Sequence, residues 1–500
     1  MNKLQGKKVF IFQQRNWGQT IGHFLAKKLQ TQGCRLAALT LKQSTHEFTL
    51  SQREVRYDLV VNDDEILNNP FQYLPPKPPT LAEVCAELGI ESVWPLVQTI
   101  RNYVKSYREK FYYSYRQNVT DEHMVAYVQA IFELAKKVFS EFGPDLILAP
   151  NFVVLPHIIF NLYGKKHGVK MIAVTYSTIR GFYIFTHSFL EDEGLFFDQL
   201  RGLNARQAES KNRARARQYI REFRENFKKP DYAEATDKTR SLRQIIRHEL
   251  SPFYHILRWY WRKPINYFPN LGPILDYRPP RIIWRDHFVR KRNQKLTDRF
   301  SYHPFERLKK FVYFPLQFQP EAVVDVTSPF FSNQIETARL VAMSLPDDYT
   351  LVAKEHPAMV GFRSPSYIEK IARTPNVKLI DYHIESEEVL KRADLIVSFG
   401  SATATEAAFY CKPVIQLGNF GVTRMLPNVF KHTDMTTLSV KIKELLKSNL
   451  HNADYEQKLE NFVTAAYDAG FDFDYGKAWR QGGDMEELWE IYRKEIEAVI

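Results

Sequence analysis

Short apolar runs alternate with stretches of helical periodicity along most of this 500-residue chain. Residues 9–12 are apolar without interruption and predict a strand, and Ile21, Phe24, Leu25 and Leu29 then recur at helical spacing across residues 18–29. Gly33 stands where a helix would end, and residues 36–41 are a second apolar run. The same unit returns as a strand at 145–148, a helix at 156–166 and a strand at 170–174. From Lys310 the rhythm is clearer. Strands are predicted at 311–315, 349–353, 377–380, 395–398 and 413–416, with helices at 333–345, 367–373, 386–391, 403–410 and 437–447. Strands alternating with helices imply parallel sheets with crossover connections. The pattern therefore predicts two doubly wound α/β halves, and a last helix over 484–500 that packs back across the hinge.

Residues between them break the rhythm. Residues 204–228 read as a long charged helix, and 252–292 interleave aromatics and bases, among them Phe253, Tyr254, Trp259, Tyr260, Trp261 and Trp284. Prolines at 264, 269, 273, 279 and 280 argue against one continuous helix there. The expected organisation is a first domain over 1–203, a helical insertion or connector over 204–309, a second domain over 310–480 and the terminal helix over 481–500.

Charge sharpens that division. Residues 201–310 hold 28 Lys and Arg against 11 Asp and Glu, more than the whole chain's formal surplus of +12, so the remainder is slightly acidic. Otherwise 44% hydrophobic and 25% charged residues are those of a soluble globular protein. Cys34, Cys85 and Cys411 are too few and too scattered for a disulfide framework and fit a reducing compartment. No apolar run reaches the roughly 18 residues of a membrane span, and residues 1–6 do not resemble a secretion signal. The expectation is a cytoplasmic protein.

Candidate chemistry sits at the carboxyl ends of the second-half strands, where doubly wound sheets bind ligands. Lys354-Glu355-His356-Pro357 follows one strand: the proline stiffens the turn, and an ammonium and an imidazole together suit a phosphate. Ser398-Phe399-Gly400-Ser401-Ala402-Thr403 follows another, a glycine turn opening a helix whose free amides and dipole favour an anion. Glu406 lies one turn into that helix, placed to accept both hydroxyls of a ribose. Singly, the first motif also fits a capped turn and the second an N-capped core helix. Their order and spacing on successive strand ends point to a nucleotide-sugar site. Asp63-Asp64 and Asp347-Asp348 are read as solvent-exposed pairs, and no Asp-x-Asp pair suits a metal.

These motifs resemble the capsule polysaccharide biosynthesis family, which includes bacterial Kdo transferases, and more distantly bacterial sialyl- and polysialyltransferases. The shared pieces are Phe314-Pro315-Leu316-Gln317-Phe318-Gln319-Pro320-Glu321, the Lys354 to Pro357 motif, the Ser398 to Ala407 turn and helix, and Lys412-Pro413-Val414, about a fifth of the chain. The resemblance implies a GT-B glycosyltransferase, with two Rossmann-like domains facing a cleft. It assigns Gln317, Lys354, His356, Pro357, Ser398, Gly400, Ser401, Thr403 and Glu406 to the donor. It implies a CMP-activated acid sugar such as Kdo as co-substrate, with no cofactor and no metal. Sialyltransferases carry paired hydroxyl residues where this chain has Ser401-Ala402, so a neutral UDP- or GDP-sugar stays an alternative donor.

The related transferases also place an acidic-acidic-glycine motif in the first domain as catalytic base. Here three acids precede the glycine, in Glu191-Asp192-Glu193-Gly194, so Glu191 or Asp192 is the counterpart. A carboxylate opposite the donor phosphate would deprotonate an acceptor hydroxyl, with His356 assisting departure. Arg15, Asn16, Asn151, Ser177 and Arg180 follow first-half strands and are the acceptor-side candidates. The acceptor would be a glycan or lipid-linked glycan. The basic aromatic insertion suits an anionic membrane surface, which would place the protein peripherally at the inner face of the plasma membrane, or a solvated connector; nucleic acid is the weaker reading. The rivals are a UDP-GlcNAc 2-epimerase-like enzyme and a non-enzymatic basic polysaccharide- or nucleic-acid-binding protein.

Overall fold

The computed structural model describes residues 3–101, 119–227, 242–262 and 279–500. They form two six-stranded sheets. The first contains β1 (Lys8–Gln14), β2 (Arg35–Leu41), β3 (Leu59–Asn62), β4 (Leu146–Leu148), β5 (Lys170–Tyr176) and β6 (Tyr183–Thr186), in the order β3-β2-β1-β4-β5-β6. The second contains β7 (Phe311–Pro315), β8 (Thr350–Lys354), β9 (Val377–Ile380), β10 (Leu395–Ser398), β11 (Val414–Gln416) and β12 (Val429–Lys431), in the order β12-β11-β10-β7-β8-β9. All pairings are parallel except β5 with β6. Each sheet has the Rossmann strand order, and the fold is GT-B. Chain direction reverses its winding between β1 and β4 in one sheet and between β7 and β10 in the other, and a crevice opens at such points.

Parallel strands are covered on both faces and so need apolar residues at consecutive positions. Val9, Phe10, Ile11 and Phe12 are all fully buried, as are Leu395, Ile396 and Val397. Polar side chains accordingly cluster where the strands end. Helices Asp121–Lys137 and Ala453–Ala469, absent from the sequence expectations, begin at Thr120 and Asn452, whose side chains accept from the His123 and Tyr455 amides.

The chain crosses back earlier than expected. Phe471 pairs with Tyr183 as an antiparallel bridge, and helices Tyr475–Gln481 and Glu486–Val499 both lie on the first sheet. Tyr475, Leu488, Trp489, Tyr492 and Ile496 share one apolar cluster with Val9, Ile11, Trp17 and Leu148. The crossing segment thus supplies part of the first unit's core.

The basic segment is helical but is not one long charged helix. Helix Leu195–Asn204 ends where the sequence pattern would have begun it, and helix Arg213–Glu225 follows. Ala216, Ile220 and Phe223 anchor the second of these in a cluster with Phe409 and Phe462. Helices Leu242–Arg262 and Pro280–Asp298 are separate, as the prolines require, although Pro252 sits within the first; prolines 264, 269 and 273 lie outside the described residues. The two helices meet edge-to-face at Phe253 and Trp284, 4.9 Å between ring centres. Arg290 lies over the Phe362 ring at 4.0 Å, seating the pair on the second unit. Among the described residues no helix is long and apolar enough to cross a membrane.

The acidic pairs separate. Asp347 and Asp348 are exposed, as expected. Asp63 and Asp64 are instead buried, because Asp64 Oδ1 meets Lys42 Nζ at 2.7 Å and Asp63 Oδ1 accepts from the Tyr127 hydroxyl at 2.7 Å. Partners supplied by distant elements removed the need for water.

Candidate functional site

The turns that follow β8 and β10 flank the second switch point. Gly400 holds a φ of 113°, in the left-handed region that favours glycine. A β-carbon there would also lie 2.9 Å from Phe420 Cβ and 3.0 Å from Gln416 Nε2. Ser398 is fully buried and shapes this turn: its hydroxyl accepts from the Gly400 amide at 3.4 Å and meets Ser401 Oγ at 3.3 Å. Ser401 is the N-cap of helix Ala402–Phe409, yet its side chain makes no capping hydrogen bond. The N-capped alternative is therefore not realised, and the amides at Ala402 and Thr403 keep the anion-binding geometry of an uncapped helix start.

His356 stands after β8. Its Nδ1 accepts from the Ala358 amide at 3.1 Å, so the neutral ring carries its proton on Nε2. Burial, with help from the Arg363 and Lys354 cations, pushes the imidazole down to about 4. It is a neutral hydrogen-bond donor at physiological pH. Beneath it lies a fully buried ion pair, Glu355 Oε1 to Arg363 Nη1 at 2.6 Å, and Arg363 Nη2 also donates to the Gln317 carbonyl at 2.6 Å. Pro357, itself exposed, opens the short helix Pro357–Met359, whose Met359 is buried.

Glu406 is nearly buried, and burial raises its carboxyl to about 7 against the pull of Lys354. It borders a small cavity with Thr178 and Arg180 of the first unit. At this border Thr405 Oγ1 donates to Thr178 Oγ1 at 2.8 Å, one of the contacts that close the two units on each other.

Three predicted residues turn away from the cleft. Gln317 donates through Nε2 to the Pro315 carbonyl and is locked by Gln334 on both backbone atoms. Lys354 is buried, its ammonium given to the Ile384 carbonyl and to Ser386 Oγ, so it acts on His356 and Glu406 through its field and not as an open phosphate ligand. Ser177 is spent on its own turn, donating to the Phe182 carbonyl at 2.7 Å and accepting from the Ile179 amide. Each corrects an expectation for the same reason: a polar side chain at a strand end can be claimed by nearby backbone.

The first-unit acids also part company. Asp192 is tied across the interface to Arg424 at 3.0 Å. Glu191 is buried, with a φ of 55°, and its Oε2 accepts from the Thr175 hydroxyl. Burial raises its carboxyl to about 7, with a further push from Glu321 and an opposing pull from Thr175. Its backbone presses on Gly421, where a β-carbon would sit 2.2 Å from the Glu191 carbonyl oxygen. Gly421 adjoins Phe420, the residue under Gly400, so Glu191 is held against the loop that supports the donor turn. Arg15 and Asn16 are exposed after β1, and Asn151 follows β4, with its Oδ1 buried and unpartnered. Sequence reasoning missed Thr175, and also Tyr183, Trp479 and Arg480, which with Asn151 line a cavity of about 400 Å³ at the ends of β4 and β5. No local motif marks them, since the cavity is closed by the crossing segment.

Residues 281–423 match the family model described as capsule polysaccharide biosynthesis protein, the family that the motifs resemble. No curated protein matches the chain. Among solved structures, the beta Kdo 2,7 transferase of KpsC from Thermosulfurimonas dismutans is similar at 13% identity and a TM-score of 0.33, over 67% of this chain and 80% of that one. UDP-GlcNAc 2-epimerase from Methanocaldococcus jannaschii is similar at 10% identity and a TM-score of 0.24, over 92% of this chain and 98% of that one.

Proposed function

We propose that this chain is a glycosyltransferase of capsule or surface polysaccharide synthesis, moving an acidic sugar from a CMP-activated donor to a hydroxyl of a glycan or glycolipid. The observation that carries this reading is the pairing of an uncapped helix start and a neutral His356 in one unit with a buried Glu191 of the other, which packs on Gly421 beside the Phe420 that underlies Gly400. In the reaction, Glu191 takes the proton of the acceptor hydroxyl. That oxygen bonds to the anomeric carbon as the bond to the phosphate oxygen breaks. The amides of Ala402 and Thr403 and the Nε2–H of His356 stabilise the charge gathering on the departing phosphate. Glu406 takes the ribose hydroxyls when the Thr178–Thr405 contact parts. Asp192 holds the units together through Arg424.

Thermal unfolding with CMP, UDP and GDP tests the donor half. A nucleotide at a hundred times its Kd adds about 2.7 kcal/mol. CMP should raise the wild-type melting temperature by several degrees, UDP and GDP much less, and His356→Ala should lose most of the gain. A preference for UDP-GlcNAc, with epimer formed and no acceptor present, would instead establish the 2-epimerase.

The insertion adds a location. Leu242, Ile246, Leu250, Phe253, Leu257 and Trp261 form one exposed stripe at helical spacing, flanked by exposed Arg243, Arg247 and Arg258. An apolar face of this kind edged with cations suits the surface of an anionic bilayer. Wild-type protein should float with vesicles containing phosphatidylglycerol and stay behind with pure phosphatidylcholine. Leu257→Glu with Trp261→Glu should abolish flotation; unchanged flotation would remove the membrane role.

A further inference from the structure

We propose that the cavity between the ends of β4 and β5 and helix Tyr475–Gln481 holds the terminal sugar of the acceptor, and that Arg480 selects a negative charge on that sugar. The inference rests on the transferase reading and adds to it the place and the chemical class of the acceptor.

Size and lining fit a single saccharide residue. About 400 Å³ falls within the roughly 300–1,000 Å³ of small-molecule sites. Trp479 and Tyr183 offer aromatic surface, against which the C–H face of a sugar ring packs. Asn151 lines the wall, and its buried Oδ1 has no hydrogen-bond partner, an unfavourable arrangement that a small turn of the side chain towards a bound sugar hydroxyl would relieve.

Gly476 lies on the cavity wall. A methyl group on it would lie 3.6 Å from Arg480 Nη1 and 3.8 Å from the Tyr183 hydroxyl, so the guanidinium and the phenol both reach its bare backbone. Arg480 is exposed and makes no ion pair among the described residues. A planar guanidinium free at the rim of a sugar-sized cavity matches a carboxylate or a phosphate.

Thr175 connects this cavity to the chemistry. It lines the wall and its hydroxyl donates to Glu191 Oε2, so the cavity and the proposed base share this residue. The crossing helix is then part of the active site and not only a clasp.

The full-length protein is titrated, by ligand-observed NMR, with D-glucuronate, glucose 6-phosphate and neutral glucose. Glucuronate or glucose 6-phosphate should bind at least tenfold more tightly than glucose, and the tighter of the two identifies carboxylate or phosphate as the natural group. Arg480→Gln should erase the preference for charge. Gly476→Phe, its fold checked by melting temperature, should block all three sugars. In transfer assays Arg480→Gln should raise the acceptor KM at least tenfold with kcat within threefold and the CMP-induced stabilisation intact. Equal binding of glucose and both anions, or an acceptor KM unmoved in Arg480→Gln, would overturn the assignment. If CMP neither binds nor serves as donor, the transferase reading falls, while the NMR titration still decides the cavity.

Discussion

Glu191→Gln should lower sugar transfer by about two to four orders of magnitude while leaving CMP binding and the melting temperature close to wild type. Glutamine keeps the size of the side chain and still offers Thr175 an oxygen to donate to, so the 175–191 contact survives. What is lost is the ability to take a proton. The wild-type pH profile should carry the same signature. Because burial raises this carboxyl to about 7, the base is protonated and idle in acid, and kcat/KM should climb as pH rises through about 7. That acidic limb should vanish from the residual activity of Glu191→Gln. Asp192→Asn should do far less to kcat, since Asp192 faces Arg424 and serves the interface. A Glu191→Gln protein with more than a tenth of wild-type kcat would transfer the role to another group.

The largest loss of stability should come from Arg363→Ala, about 3–5 kcal/mol by denaturant unfolding, because it leaves the buried Glu355 without its counterion. Glu355 is poorly placed to tolerate that loss. Its Oε2 already has no partner, and burial holds its carboxyl above the usual range even with Arg363 beside it. The guanidinium also ties β8's turn to the Gln317 carbonyl, so its removal loosens the base on which His356 stands. The double variant Glu355→Gln, Arg363→Met should recover a large part of the loss, since replacing both members removes the uncompensated charge. His356 reports the same event differently. With the Arg363 cation gone, its imidazole should titrate above about 4, read from the histidine proton shifts in NMR. A cost below about 1 kcal/mol for Arg363→Ala would mean that Glu355 finds water or simply stays protonated.

The sequence showed most of the sheet framework because doubly covered strands are written as unbroken apolar runs. Strands β3, β6 and β12 escaped notice because all three lie at sheet edges, where β3 and β12 are mostly only part-buried and β6 runs antiparallel. The two turns of the proposed donor site were legible because Lys354 to Pro357 and Ser398 to Glu406 are each contiguous in the chain. Orientation within those turns was not legible. Nothing in the sequence says that Lys354 faces the Ile384 carbonyl, that Gln317 bonds its own strand, or that Asp64 has Lys42 beneath it. The proposed acceptor cavity was the least readable. It joins Asn151, Thr175 and Tyr183 to Trp479 and Arg480 across some three hundred residues of chain, and only the folded crossing brings them together.

That crossing has a consequence for synthesis. Val9, Ile11 and Trp17 leave the ribosome early, but the Trp489, Tyr492 and Ile496 side chains that pack with them are translated after the whole second unit. The first sheet therefore waits, with part of one apolar face uncovered, through the production of the whole second unit. Nascent chains halted near residue 470 should be good clients of chaperones and easy prey for proteases, whereas released chains that contain the helix Glu486–Val499 should be resistant.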